Sequence, residues 1–199
     1  IWKNWRMLGE GQLYDIEKDR MQENDVAAEY PEVVQRMEKA FQAYHARGKE
    51  LVQKPVRFVL GGVGSPAIEI TGQDMYWTPE SKGGQPFGQS APRDLMQAHG
   101  PYKVRIARDG KYKFTLSRYP LYTNMSMSIG GRKFKKDHII RKVRISIAGK
   151  TREKVVMPED TRATFLMNLK VGDADLDTAL LGDGKDGIAY FVTAEYLGK

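Results

Sequence analysis

The sequence predicts an α+β fold, mainly β, in which a short β-hairpin and one helix precede an antiparallel β-sandwich. Three observations carry this expectation. Residues 102–119, YKVRIARDGKYKFTLSRY, alternate apolar and polar positions on either side of Asp109-Gly110. Asp-Gly between alternating runs favours a tight turn with positive φ, so this stretch predicts a β-hairpin with one buried face. After Pro55 the chain breaks into about eight short segments of β character separated by turn signals, the pattern of a sandwich. Between residues 31 and 47, by contrast, Val33, Val34, Met37, Ala40, Phe41 and Tyr44 fall at helical spacing.

In chain order, residues 2–8 and 12–16 read as short strands around Gly9-Glu10-Gly11. Pro31 is placed to open the helix, because a first-turn proline loses no hydrogen bond, and Gly48 is placed to close it near Arg47. Trp2 and Trp5 are expected to pack on that helix or on a neighbouring body. Such a unit buries too little to be stable alone and must dock on something. This gives a domain division at 1–54 and 55–199. The sandwich strands are expected at 56–60, 67–70, the two arms of the hairpin, 138–148, 151–156, 162–169, 175–180 and 188–196. Val143, Ile145 and Ile147 show the alternation most plainly. Residues 71–100 form a long loop rich in Gly, Pro, Gln and Ser, and long loops without regular structure are often functional.

Composition limits the function classes. With 41% hydrophobic and 29% charged residues the 199-residue chain reads as globular, and no apolar run approaches the length of a membrane-spanning helix. It begins with Ile1 and carries no signal peptide, which reads as a processed product or a cut piece. The absence of cysteine excludes disulfides, thiolate catalysis and cysteine metal sites. A net charge of +7 favours an anionic partner. The densest basic run, Arg132-Lys133-Phe134-Lys135-Lys136, reads first as a solvated loop and second as an anion-binding patch.

Several short patterns lack the residues their chemistry needs. Asp173, Asp175 and Asp177 have the opening spacing of a calcium loop, but Thr178 occupies the glycine position and Gly184 that of the bidentate glutamate. His45, His99 and His138 show no paired ligand spacing. Gly61-Gly62-Val63-Gly64 lacks the lysine and helix of a phosphate loop and reads as a turn. Asn124-Met125-Ser126 is a glycosylation sequon, meaningful in a host that glycosylates secreted proteins.

The first forty-five or so residues carry a longer pattern: Trp5-Arg6-Met7-Leu8, Leu13-Tyr14-Asp15-Ile16, Asp19, Glu23, Asn24, Val26-Ala27 and Tyr30-Pro31-Glu32-Val33-Val34. In order and spacing this resembles the C-terminal subdomain of type I sulfatases, with Arg20 and Tyr30 replacing the family's usual proline and histidine. Pro55 to Gly61, the stretch 71–77, Pro86-Phe87-Gly88-Gln89 and Arg118-Tyr119-Pro120 resemble a β-sandwich extension found in a bacterial subset of these enzymes. That family has tryptophan at Phe87 and Tyr119 and His-Asp-Trp at Gln73-Asp74-Met75. The resemblance implies a parent arylsulfatase-like hydrolase, periplasmic or secreted, that cleaves a sulfate ester of a glycan. It implies a formylglycine nucleophile and calcium in an upstream catalytic domain, and neither a catalytic residue nor a cofactor in this chain. The nearest formylglycine-like sequence, Ser90-Ala91-Pro92-Arg93, is one residue too short.

Asp74, Trp77, Gln89, Arg93 and Arg118 are therefore the candidate substrate-binding residues, with Tyr76, Phe87 and His99 beside them. Aromatic platforms among hydrogen-bonding groups suit a sugar or a sulfated sugar, although Trp77 and Phe87 could equally seal one end of the sandwich. The expected partners are the upstream sulfatase domain and a sulfated glycan, with no nucleic acid and no membrane span. The alternative is a stand-alone, non-catalytic carbohydrate-binding or interaction module; a nucleic-acid role has only net charge behind it. Strands 2–16 discriminate the first two readings, since the tail of a larger sheet leaves an open edge and a module covers its own.

Overall fold

A computed structural model describes residues 1–52, 54–77, 83–128 and 139–199. They fall into two compact units, Ile1–Pro55 and Val56–Lys199.

In the first unit β1 (Trp5–Met7) and β2 (Leu13–Asp15) pair antiparallel around a 3-10 turn at Gly9–Gly11. Their outer edges are covered from within the unit. Trp2 folds back to exchange backbone hydrogen bonds of 2.9 Å with Trp5, while Leu13 gives its N–H to the Asp25 carboxylate at 3.0 Å and its carbonyl to Val26 at 2.9 Å. Asp15, Asp19 and Asp25 accept such bonds, from Asn4 at Asp15 and from backbone N–H groups at Asp19 and Asp25, and these hold all three carboxyls below the usual range.

Helix α1 (Pro31–Val52) runs past Gly48, where the sequence placed its end, because Gly48 is not in the left-handed conformation that would close it and the residues that follow continue the helix. Of its apolar positions Val33 is buried, whereas Phe41 and Tyr44 are exposed. Trp2 takes the Arg36 guanidinium over its ring at 4.4 Å, and Trp5 packs against Tyr30 with ring centroids 4.7 Å apart and planes tilted by 48°.

The second unit is a sandwich of two sheets. Its strands are β3 (Phe58–Leu60), β4 (Ala67–Thr71), β5 (Tyr102–Ile106), β6 (Gly110–Ser117), β7 (Ile140–Ile147), β8 (Lys150–Val155), β9 (Ala163–Leu169), β10 (Gly172–Gly182), β11 (Asp186–Gly187) and β12 (Phe191–Gly198). One sheet runs β3-β5-β10-β7-β8, with β11 added on β10; the other runs β4-β12-β6-β9. Pairing is antiparallel except between β3 and β5, which run parallel. The expected strand start at residue 138 and the basic run at 132–136 lie outside the described residues.

The expected hairpin at 102–119 is corrected. β5 pairs with β3 and β10, β6 pairs with β12 and β9, and the chain crosses from one sheet to the other between them. The reason is burial on both arms. Tyr102, Val104 and Ile106 of β5 and Tyr112, Phe114 and Leu116 of β6 are all 0–1% exposed, so they face each other across the core instead of sharing one face. Asp109 closes the crossing by accepting Lys170 Nζ at 2.9 Å and the Val171 N–H at 2.8 Å, which lowers its pKa. Gly110, at φ +149°, is needed there because a Cβ would lie 2.4 Å from the Gly198 carbonyl oxygen.

Residues 71–100 are less irregular than expected, with a 3-10 turn at Gly72–Asp74 and a short helix, α2 (Ser90–Arg93). Leu95 and Ala98 anchor the stretch in the core.

Candidate functional site

At one end of the four-stranded sheet β4 finishes, β12 begins and β6 leaves for the segment at 118–125. Thr71 is in register with Phe191, and Phe191 with Ser117. This end is hollowed into a groove of about 880 Å³. Its floor is backbone: Gly72 donates its N–H to the Tyr190 carbonyl at 2.8 Å, and a Cβ there would crowd Pro86 and Tyr190 at 3.2 and 3.3 Å. Tyr119, Tyr122 and Phe191 supply aromatic wall, and Gln73, Gln89 and Thr123 supply neutral hydrogen-bonding groups.

Tyr122 is 89% exposed, an unusual position for a large aromatic ring. Its 3-10 turn, Leu121–Thr123, holds itself: the Thr123 hydroxyl and N–H both donate to the Pro120 carbonyl, at 2.7 and 3.0 Å, and Asn124 closes the turn in the left-handed region at φ +51°. The ring is thus presented on a fixed turn at the groove's mouth.

The groove is close to neutral. Arg93 is its one lining residue with an acidic or basic side chain, tyrosines aside, and it grips Asp94 bidentately at 3.0 and 2.6 Å, which raises its pKa. Tyr190 is buried with its hydroxyl on the Met96 carbonyl at 2.7 Å, and burial pushes its pKa far up. Among the described residues that line it there is no carboxylate, imidazole or thiol.

Of the residues singled out from sequence, Gln89 and Arg93 line the groove. Asp74 stands behind it, accepting the Thr71 N–H at 2.7 Å and the Thr71 hydroxyl at 2.9 Å in a capping box, so it holds the wall instead of facing a ligand. Arg118 is corrected outright. It is fully buried, donating from Nε to the Pro92 carbonyl at 2.7 Å, from Nη1 to Met127 at 3.0 Å and from Nη2 to Arg93 at 3.0 Å. Burial lowers its pKa, opposed by Tyr119, Tyr190 and Asp94. It is a strut binding α2 and the segment around Met127 to the end of β6.

Trp77, 45% exposed, and Phe87, 60% exposed, lie outside the groove lining, and Tyr76 stacks under Lys103. His99 lines a separate shallow hollow beside Arg144 and Asp177, where burial and neighbouring Asp175 raise the Asp177 pKa. His138 lies outside the described residues. Sequence reasoning missed Tyr122 and Phe191. Tyr122 was legible in principle, as an aromatic between Pro120 and Asn124 that belongs to no alternating run.

Asp173, Asp175 and Asp177 lie along β10, the first two paired with Arg105 and Lys103. Among the described residues no group of three His, Cys, Asp or Glu side chains is placed to hold a metal ion. Nor is any described helix long and apolar enough to cross a membrane.

No family model matches the chain, and no curated protein matches it. Solved structures give faint likenesses. The GH26-CBM35 β-(1,4)-mannanase of Podospora anserina aligns at TM-score 0.39 and 10% identity, over 67% of this chain and 28% of its own. A ruminal GH26 endo-β-1,4-mannanase aligns at TM-score 0.39 and 18% identity, over 66% and 26%. The C-terminal CBM6 of LamC from Zobellia galactanivorans aligns at TM-score 0.34 and 11% identity, over 65% and 98%. The chain thus spans little more than a quarter of either mannanase. Likeness this weak leaves the function to the groove itself.

Proposed function

We propose that the Val56–Lys199 sandwich is a non-catalytic carbohydrate-binding module that receives a sugar chain in the groove at the end of its four-stranded sheet. The observation that carries this is Tyr122, an 89% exposed ring fixed on a self-bonded turn over a groove of neutral donors and acceptors. Sugar rings present an apolar C–H face and a rim of hydroxyls, and an aromatic plate bordered by amides and hydroxyls meets both.

Titration of neutral oligosaccharides into the 1–199 chain and its Tyr122→Ala variant tests the reading. The variant is expected to bind about tenfold more weakly or worse, about 1.4 kcal/mol, with an unchanged melting temperature. Equal affinity in both proteins refutes the groove as the site.

A second reading, attachment to a sulfatase-type hydrolase, is supported by the residue pattern of the first unit and by Phe41 and Tyr44, exposed on α1 where an apolar stripe calls for cover. Aryl-sulfate hydrolysis by the product of the native gene decides it: turnover by a protein larger than 22.6 kDa supports the reading, and a 22.6 kDa product without turnover ends it.

A further inference from the structure

The positive charge of this protein is confined to the sandwich. Residues 56–199 hold 23 Lys and Arg against 15 Asp and Glu, a net +8, whereas residues 1–55 hold 9 against 10, a net −1. Within the sandwich several basic residues are answered by acids. Arg57 and Arg105 share Asp173, Lys103 pairs with Asp175, Lys113 with Glu195, Arg141 with Asp183 and Lys170 with Asp109. On β8 three basic residues in alternation have no such partner among the described residues.

Lys150, Arg152 and Lys154 stand opposite Ile147, Ile145 and Val143. Cross-strand partners point to the same face, so these three project toward the core side of the sheet. Yet β8 is the last strand of its sheet and is exposed along its whole length, so the three cations overhang the edge in a row about 7 Å apart. Lys150 Nζ donates to the Asn168 carbonyl at 2.6 Å and Arg152 to the neighbouring Thr151 carbonyl at 3.1 Å, both neutral acceptors. No acidic partner reaches any of the three among the described residues. On the other face Lys142 and Arg144 share a single carboxylate, Glu153, at 4.0 and 3.8 Å. The hairpin is thus a ridge with six basic residues, of which Arg141 pairs with Asp183 beyond it, and one acid of its own, Glu153. Inward charges on an edge strand also discourage edge-to-edge pairing. That role accounts for the three on β8 but not for Lys142 and Arg144.

We propose that the β7–β8 ridge is a second binding surface, for a linear anionic polysaccharide bearing sulfate or carboxylate groups. A regular row of exposed, unanswered cations matches a chain with regularly spaced anions, and such contacts are favoured by counterion release. The choice of a glycan over a nucleic acid rests on the reading of the groove as a sugar site, together with the absence of any aromatic ring among the ridge's described residues on which a base could stack.

The test measures binding of the 1–199 chain to heparin, mannan and a DNA duplex over a range of salt. Heparin is expected to bind, weakening steeply with salt, and the triple variant K150Q/R152Q/K154Q is expected to lose at least tenfold. K142Q/R144Q, which leaves the edge strand's inward charges intact, is expected to lose several-fold. K39Q/R47Q/K49Q removes equal charge from α1 and is expected to lose less than twofold. A comparable loss in this last variant overturns a localised surface in favour of bulk charge. DNA binding as tight as heparin binding, with the same losses, overturns the glycan as occupant. Tyr122→Ala is expected to leave heparin affinity unchanged, so failure of the groove reading appears with the neutral sugars alone.

Discussion

Arg118 shows how far a residue's apparent chemistry can lie from its role. In sequence it ends an exposed-looking strand beside tyrosine and proline, and a basic residue there reads as a ligand contact. In the structure its guanidinium fans three donors onto the carbonyls of Pro92, Arg93 and Met127, which have no strand to bond. Lysine could not span three carbonyls at once, because its ammonium is a compact point with no planar fork. Arg118→Met is therefore expected to lower the unfolding free energy by roughly 3–5 kcal/mol, since the buried carbonyls lose their partners together. Urea denaturation measures it, and a loss under about 1 kcal/mol would show that α2 is held by other means. The Arg118→Met groove should also lose sugar affinity, because α2 carries the Arg93 wall. Tyr122 is the converse case: its ring contributes almost nothing to the core and its removal should be silent in stability.

At the scale of elements, periodicity located the strands well and their partners poorly. The alternations in β7 and β9 survive as buried–exposed patterns, and Gly149-Lys150 turns the chain between β7 and β8 as its residues suggest. Asp109-Gly110 misled because a turn dipeptide fixes a reversal of direction, not which strand lies alongside afterwards. Both flanking arms carry buried aromatic and aliphatic residues, and such arms can share one sheet or face each other across a core. Placed in opposite sheets, Val104 and Phe114 each fill the core from their own side. The groove was legible only in part for a related reason. Gln89 and Arg93 lie in the loop whose composition marked it, but Phe191 and Thr71 meet through strand register, which no local pattern specifies. Exposed, self-closing turns such as Leu121–Thr123 leave a sequence trace in Pro120 and Asn124, one that is weaker than the alternation beside it.

The molecule as a whole is two bodies of unequal means. The sandwich core, from Leu60 to Ala194, draws every member from residues 56–199 and joins both sheets. The first unit buries Leu13, Tyr14 and Val33 among its apolar residues and relies on capping carboxylates for much of its order. A core of that size cannot offset the conformational entropy of fifty-odd residues, which costs about 1–2 kcal/mol for each backbone residue fixed. A polypeptide of residues 56–199 is therefore expected to fold alone, to unfold in urea at the same midpoint as the sandwich transition of the 1–199 chain, and to keep its affinity for neutral sugars within about twofold. Residues 1–55 alone are expected to show no cooperative thermal transition by circular dichroism. A 56–199 chain that folds but loses sugar affinity would mean that the groove needs residues from the first unit, and a cooperative 1–55 chain would mean that its caps and aromatic pairs supply more stability than its buried surface indicates. Because the sandwich holds the groove, the ridge and all of the excess positive charge, its independence would place both binding surfaces on one separable body.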